Sequence, residues 1–339
     1  MPTARKTKSG KWRCQAFDYV EIVDGKKKYH HRSFTASTKW ESERLANEFM
    51  RNKNRPSSDL RLDEAIDRYI EIKRNVLSPS TIRGYNSLKR NAFGTLSMMR
   101  IDKITSEEVQ ECINRYAVDH TAKSCRNALG LLTAVLGTFC QGTYIHAKLP
   151  QTVPVDYYTP SDDDIKALLN AIKYDELKRA VMLAAFGTLR RSEICGLTDE
   201  DIDGDVIHVH RAMVESDHGW VLKDFPKNDS SNRRITYPHF VIEMLGDRKG
   251  KLVNMTPKRL DVGFRRAVER AGLPHFRLHD LRAYSVSIAH ALGISDVYNM
   301  RRGGWSSPET YRKIYRRVIS DIDDENTAKL NAHFAELHS

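Results

Sequence analysis

The hydrophobic rhythm of the chain changes several times, and each change marks an element. Between residues 11 and 35 the β-favouring residues Trp12, Phe17, Tyr19, Val20, Ile22, Val23, Tyr29 and Phe34 fall in short runs broken at Asp24-Gly25, a hairpin turn signal. This predicts a small antiparallel sheet. From Ser37 to Met50 the spacing turns helical, with Trp40, Leu45, Ala46 and Phe49 in register. Residues 51–59 are polar, contain Pro56 and read as a linker. Beyond it, Leu62, Ile66, Tyr69 and Ile70 mark one amphipathic helix, and Ser78-Pro79 opens another carrying Ile82, Tyr85 and Leu88. Thr105 and Glu108 form a capping box ahead of Val109, Cys112 and Ile113, and a further helix covers about 121–139.

Residues 148–158 form a second linker. Thr159-Pro160 then opens a helix through Ile165, Leu168, Leu169 and Ile172, and another spans Tyr174 to Phe186. Strand patterns follow at Val206, Ile207 and Val209, at Trp220 and Val221, and from Arg234 to Tyr237. Helices return from Phe240 and end in a stripe of Leu330, Phe334 and Leu337. The expected fold is multidomain: a small N-terminal β-sheet with one helix over 1–55, an all-α domain over 59–147, and a mixed, mainly α domain with a small antiparallel sheet over 155–339.

The 339 residues carry a net charge of +11, which points to a polyanionic partner, because Lys and Arg that neutralise phosphates supply most non-specific DNA affinity. Lys11, Arg13, Lys26, Lys27, Lys28 and Arg32 surround the predicted sheet. Such a face is either simply solvated or a way into a DNA groove. The five cysteines form no CxxC pair, so neither a disulfide framework nor a zinc ribbon is expected, and a cytoplasmic setting fits. No apolar run reaches the ~20 residues of a membrane span. The basic start lacks an apolar secretion segment.

Several patterns carry no chemistry. His275 and His279 lie four apart, but Phe276 stands where a zinc protease needs Glu, and no GxxxxGK[ST] loop exists for a nucleotide. His30-His31 near Cys14 lacks a fourth ligand at the usual spacing. What remains lies in the third domain. GTLRRSEICGL at 187–197 sets Arg190 and Glu193 three apart, HDLR at 279–282 does the same for His279 and Arg282, and GGWSS at 303–307 precedes Tyr315.

In this order the three segments resemble the boxes of the tyrosine recombinases, and PKNDSSNRRITYP at 226–238 resembles the family's catalytic-lysine hairpin. The all-α segment resembles the core-binding domain, and the basic sheet the arm-binding domain of integrases from phages and conjugative transposons. The resemblance implies a site-specific recombinase acting through a 3′-phosphotyrosine on Tyr315. Arg190 and Arg282 would hold the phosphate oxygens, Lys227 (or its competitor Lys223) would protonate the leaving 5′-oxygen, and His279 would accept the tyrosine proton or orient the phosphate. Glu193 would fix the arginines, and Trp305, at a place many relatives fill with His, would position only. No metal or other cofactor is implied. The implied partners are double-stranded DNA at core and arm sites and three further copies in a homotetramer, with an excisionase or host DNA-bending protein allowed.

Two departures stand out. The family usually reads Thr-Gly before the first arginine, whereas this chain reads Gly187-Thr188, and Arg191 follows where an apolar residue is common. Competing expectations are a type IB topoisomerase, a Xer-type resolvase, and a DNA-binding regulator without catalysis.

Overall fold

A computed structural model describes residues 2–7, 9–23, 26–53, 59–140, 145–152, 158–225, 229–246, 249–312 and 331. The turn at Asp24-Gly25, Lys227, Tyr315 and the tail stripe of Leu330, Phe334 and Leu337 lie outside these residues. The chain divides into two compact units, Met1–Pro154 and Val155–Ser339.

In the first unit, β1 (Arg5–Lys6), β2 (Trp12–Val23) and β3 (Lys26–Ala36) form an antiparallel sheet in the order β1-β2-β3, and α1 (Lys39–Lys53) packs on it. Strand alternation sends Cys14 and Ala16 inward, where they meet Ala46 with Trp12, Phe34, Phe49 and Met50 around them. The helix runs three residues into the segment 51–59 that the sequence reads as linker. Residues 51–53 hold no helix breaker, and the first one is Pro56.

Four helices follow: α2 (Leu62–Ile72), α3 (Pro79–Asn91), α4 (Ser106–Ala117) and α5 (Ala122–Phe139). Their apolar faces, among them Ile66, Ile113, Leu132 and Val135, close one core. The capping box at α4 is realised. Thr105 Oγ1 accepts from Glu108 N at 3.4 Å, and Glu108 Oε2 accepts from Thr105 N at 2.6 Å. At α3, Pro79 occupies the first turn while Ser78 makes no side-chain cap bond.

The second unit opens with α6 (Asp162–Ala171), α7 (Asp175–Gly187) and the short α8 (Arg191–Ile194). Helix α6 starts at Ser161 rather than at Thr159-Pro160, because Ser161 Oγ accepts from Asp164 N and the Asp164 carboxylate returns a bond to Ser161 N. Next come β4 (Ile202–Asp203), β5 (Val206–Val209), β6 (Arg211–Ser216), β7 (Gly219–Asp224) and β8 (Arg233–Thr236). They make two antiparallel sheets, β4-β5-β8 and β6-β7, where the sequence suggests one. Strand β6 was not expected, since Ala212, Met213 and Glu215 favour helices. Pairing such as Val214 with Val221 overrides that preference. Helices α9 (His239–Leu245), α10 (Pro257–Arg270), α11 (Leu281–Ala291) and α12 (Asp296–Gly303) complete the described part. Leu183, Ile207, Ile235, Phe264 and Leu281 lie in its core. Among the described residues no helix is long and apolar enough to cross a membrane, and all five cysteines are buried as free thiols.

Candidate active site

The three sequence boxes of the second unit meet where α7, α8, α11 and α12 end or begin. Arg190 is the N-cap of α8, with its side chain about one-third exposed. Its Nη1 donates to Glu193 Oε1 at 2.6 Å, its backbone N to Glu193 Oε2 at 2.8 Å, and its Nη2 to the carbonyl of Gly304 at 2.8 Å. Glu193 has no exposed surface. Burial alone would raise its carboxyl pKa, yet hydrogen bonds and charge from Arg233, then Arg190, outweigh burial and hold it below the usual carboxylate value. It is therefore a structural anion and a poor base.

Arg282 sits differently. It is buried in α11, donates Nη2 to Gly303 O at 2.8 Å and Nη1 to Thr188 O, and lies with its guanidinium carbon 4.3 Å from the ring centre of Trp305. The two arginines expected to hold phosphate oxygens have different settings. Arg190 is part-exposed with its Nη1 and Nη2 engaged by Glu193 and Gly304, whereas Arg282 is buried with both Nη groups on backbone carbonyls and its Nε without an acceptor among the described residues. Trp305 is buried and forms the floor under Arg282.

The inverted Gly187-Thr188 pair has a packing cause. A Cβ on Gly187 would fall 1.6 Å from Tyr237 Oη, so only glycine fits there. Thr188 then takes the left-handed conformation, φ 58°, that a glycine would take more cheaply, at a cost of roughly 1 kcal/mol or more. That turn aims the Thr188 carbonyl at Arg282. Arg191, the other departure, pairs with Asp261 of α10 beside the same cleft.

His279 lies in a 3-10 turn at Leu278–Asp280 that leads directly into α11. It is exposed while Arg282 is buried, so the two do not share one environment as their spacing suggests. Its ring, with Arg190, Arg191, Arg265, His275 and Arg277, lines a cleft of about 560 Å3. Desolvation, then the positive charges of Arg282, Arg277 and Arg190, press its pKa down to about 4, with Asp280 opposing. Because the ring is open to solvent, the arginine field is the part of this lowering best supported by the geometry. His279 is thus neutral at pH 7. The unfolded chain, with a histidine near 6.5, binds a proton first as pH drops, so this residue's contribution to stability declines between about 6.5 and 4 and is flat above. Melting temperatures measured across that range should fall less steeply for His279→Gln than for the wild type; identical slopes would refute the shift.

One residue of the network was missed. Arg233, first in β8, is buried and bidentate on Glu193. Strand alternation could have revealed it: Ile235 is buried, so Arg233 two residues earlier must share its inward face and needs an anion. Lys223 is exposed on β7.

In the first unit the basic residues divide between faces. Arg13 falls by alternation on the same face as exposed Phe17, whose ring is 6.2 Å from Tyr29 and 5.9 Å from His31, and Lys27 falls on that face of β3. Arg32 is on the other face, its guanidinium 5.4 Å from the Phe49 ring centre of α1. Lys11 and Lys28 are exposed, and Lys26 belongs to β3 with its side chain outside the description.

No family model matches the chain. It is 29% identical over 188 residues to a putative prophage phiRv2 integrase of Mycobacterium tuberculosis, an alignment covering 50% of this chain and 49% of that protein. It is 26% identical over 252 residues to a tyrosine recombinase XerC-like protein of Caldanaerobacter subterraneus, covering 65% and 64%. The chain thus spans about half the length of the first of these relatives. In fold it resembles the Tn1549 transposon integrase in complex with circular intermediate DNA, with TM-score 0.63, 18% identity, and coverage of 76% of this chain and 95% of that one. The relatives and solved structures that the chain resembles are named as integrases and tyrosine recombinases. The likeness extends to a lambda integrase tetramer bound to a Holliday junction, with TM-score 0.55, 17% identity, and coverage of 92% and 94%. The cluster of Arg190, Glu193, His279, Arg282 and Trp305 falls in the three sequence segments whose resemblance to tyrosine recombinase boxes the sequence suggests.

Proposed function

We propose that the chain is an integrase that cuts and rejoins DNA through a 3′-phosphotyrosine on Tyr315. The observation carrying this reading is the convergence of Arg190, His279, Arg282 and Trp305, three sequence-distant segments, beside one cationic cleft. Attack on a phosphodiester builds negative charge on the non-bridging oxygens. Arg190 faces the cleft to receive it, with the charge of Arg282 close behind. The approaching phosphate raises the pKa of His279, which makes it a better acceptor for the tyrosine proton. Lys227 is suited to protonate the leaving 5′-oxygen, which a guanidinium is not. One phosphodiester replaces another, so no external energy source is needed.

The domain reading assigns 1–55 to arm-type DNA, 59–147 to core-type DNA and 155–339 to catalysis, in a tetramer on DNA. The likeness to integrases solved with DNA supports this layout. The deciding experiment traps covalent protein–DNA complexes on nicked duplexes drawn from the DNA flanking the coding sequence. Trapped adducts whose strand exchange yields recombinants favour an integrase. Plasmid relaxation alone points to a topoisomerase, and no adduct leaves a DNA-binding regulator.

Arm binding makes its own prediction. Replacing Arg13 and Lys27 by alanine in the full chain should reduce the slope of log affinity against log salt on arm-site duplex by about 2, at roughly 0.9 per lost phosphate contact. An unchanged slope would assign that face to solvent.

A further inference from the structure

Arg233 has no part in the chemistry proposed above, yet it has the most completely used guanidinium of the site. It donates Nη1 and Nη2 to the two Glu193 oxygens at 3.2 and 2.9 Å, Nε to the Arg302 carbonyl at 2.8 Å, and Nη1 again to the Ser231 carbonyl at 3.0 Å. The remaining bonds of Glu193 go to the backbone N and Nη1 of Arg190. One buried carboxylate therefore faces two guanidinium groups. Of these, Arg233 is sealed in the protein with a side chain 4% exposed, and Arg190 opens to the cleft with 32%.

We infer that Arg233 is a positioning residue for strand cleavage: by neutralising Glu193 it leaves Arg190 with an uncompensated positive charge for the scissile phosphate. The inference rests on the function proposed above. Attraction between opposite charges strengthens as water is excluded, and a buried charge without a partner is costly. With Arg233 gone, Glu193, already bonded to Arg190 Nη1 at 2.6 Å, would have Arg190 as its remaining hydrogen-bonded guanidinium and would cancel its charge in the cleft. The same side chain also joins two segments. Ser231 follows the stretch that carries Lys227, and Arg302 precedes Trp305 and the approach to Tyr315. Arg233 thereby ties the proton donor's segment to the nucleophile's without touching DNA.

The test uses the full chain and the nicked duplexes described above, with three readings: adduct formation at single turnover, affinity for intact duplex, and thermal melting. Arg233→Met should slow adduct formation roughly 10- to 100-fold, below the loss typical of a donor that touches the reacting group, while duplex affinity stays within about twofold. Arg233→Lys should recover part of the rate, since it restores charge without the fork. Arg190→Gln combined with Arg233→Met should be no slower than Arg190→Gln alone, because the charge that Arg233 preserves is already gone. Wild-type cleavage by folded Arg233→Met, or full additivity in the double variant, overturns the inference. Should Arg233→Met fail to fold, the same readings on Arg233→Lys decide, and a wild-type rate there overturns it. Absence of adduct from the wild-type chain overturns the proposed function itself, and this inference with it.

Discussion

Tyr315→Phe should bind DNA as the wild type does and form no covalent adduct on any duplex, whereas Tyr311→Phe should keep forming adduct. Both tyrosines follow the third box, ten and six residues beyond Trp305, and helical spacing puts them on one face. The structure separates them by what Tyr311 already does. It is 1% exposed, and its hydroxyl donates to Asp296 Oδ1 at 3.2 Å and lies 3.4 Å from the donating Asn299 Nδ2. Its ring meets Trp305 edge-on at 5.5 Å, with Val286 completing the cluster. To attack a phosphate, Tyr311 would have to leave this packing and reach the ~3 to 3.5 Å that in-line attack requires. Tyr311→Phe should therefore cost stability, about 1 kcal/mol for the lost hydrogen bonds, and spare the chemistry. Adduct retained by Tyr315→Phe and lost in Tyr311→Phe would reverse the assignment.

Arg282→Lys should damage fold and chemistry together. Lysine cannot reproduce a planar fork that reaches two carbonyls while stacked on Trp305. Thr188 and Gly303 would lose their donor in a buried setting, so the expected destabilisation is about 3 kcal/mol. For a domain of this size that lowers the melting temperature by roughly 6 to 12 °C. Adduct formation should fall at least about 100-fold, as for other lost preorganised donors. Arg190→Lys should show a similar rate loss with little change in melting, because its guanidinium is partly solvated. Calorimetry and adduct assays on the same preparations check the contrast. If Arg282→Lys melts like the wild type, the carbonyl contacts contribute nothing to stability.

These differences mark the limit of what the sequence discloses. The helices with strong apolar spacing are legible residue by residue, as is the capping box at Thr105 and Glu108, because local periodicity and local hydrogen bonds produce them. The boxes around Arg190, His279 and Arg282 are legible as chemistry. Their inequality is not, because the burial of Arg282 depends on carbonyls 94 and 21 residues away. Strand β6 is hidden by its helix-favouring residues and appears only through its partner. Lys27 and Lys28 pair with β2 beyond a bulge at Phe17/Tyr19, a register change that composition does not encode. The glycine at 187 is required by Tyr237, a contact between residues 50 positions apart, and the left-handed residue that follows it is Thr188.

At the end of α12, Arg302, Gly303 and Gly304 present consecutive carbonyls, and each is capped by an arginine from a different segment: Arg233, Arg282 and Arg190. The backbone leaving this helix toward the nucleophile is thus oriented by three strands of evidence that the rest of the domain has assembled, since β8, α11 and the start of α8 must all have docked. A chain emerging from the ribosome, or one whose sheet has opened, lacks at least one of the three caps. Such a chain leaves the carbonyls at the end of α12 without their full set of caps. If the proposed DNA cleavage holds, cutting would be conditional on completed folding, a safeguard against nicks by immature or damaged copies that requires no separate inhibitor.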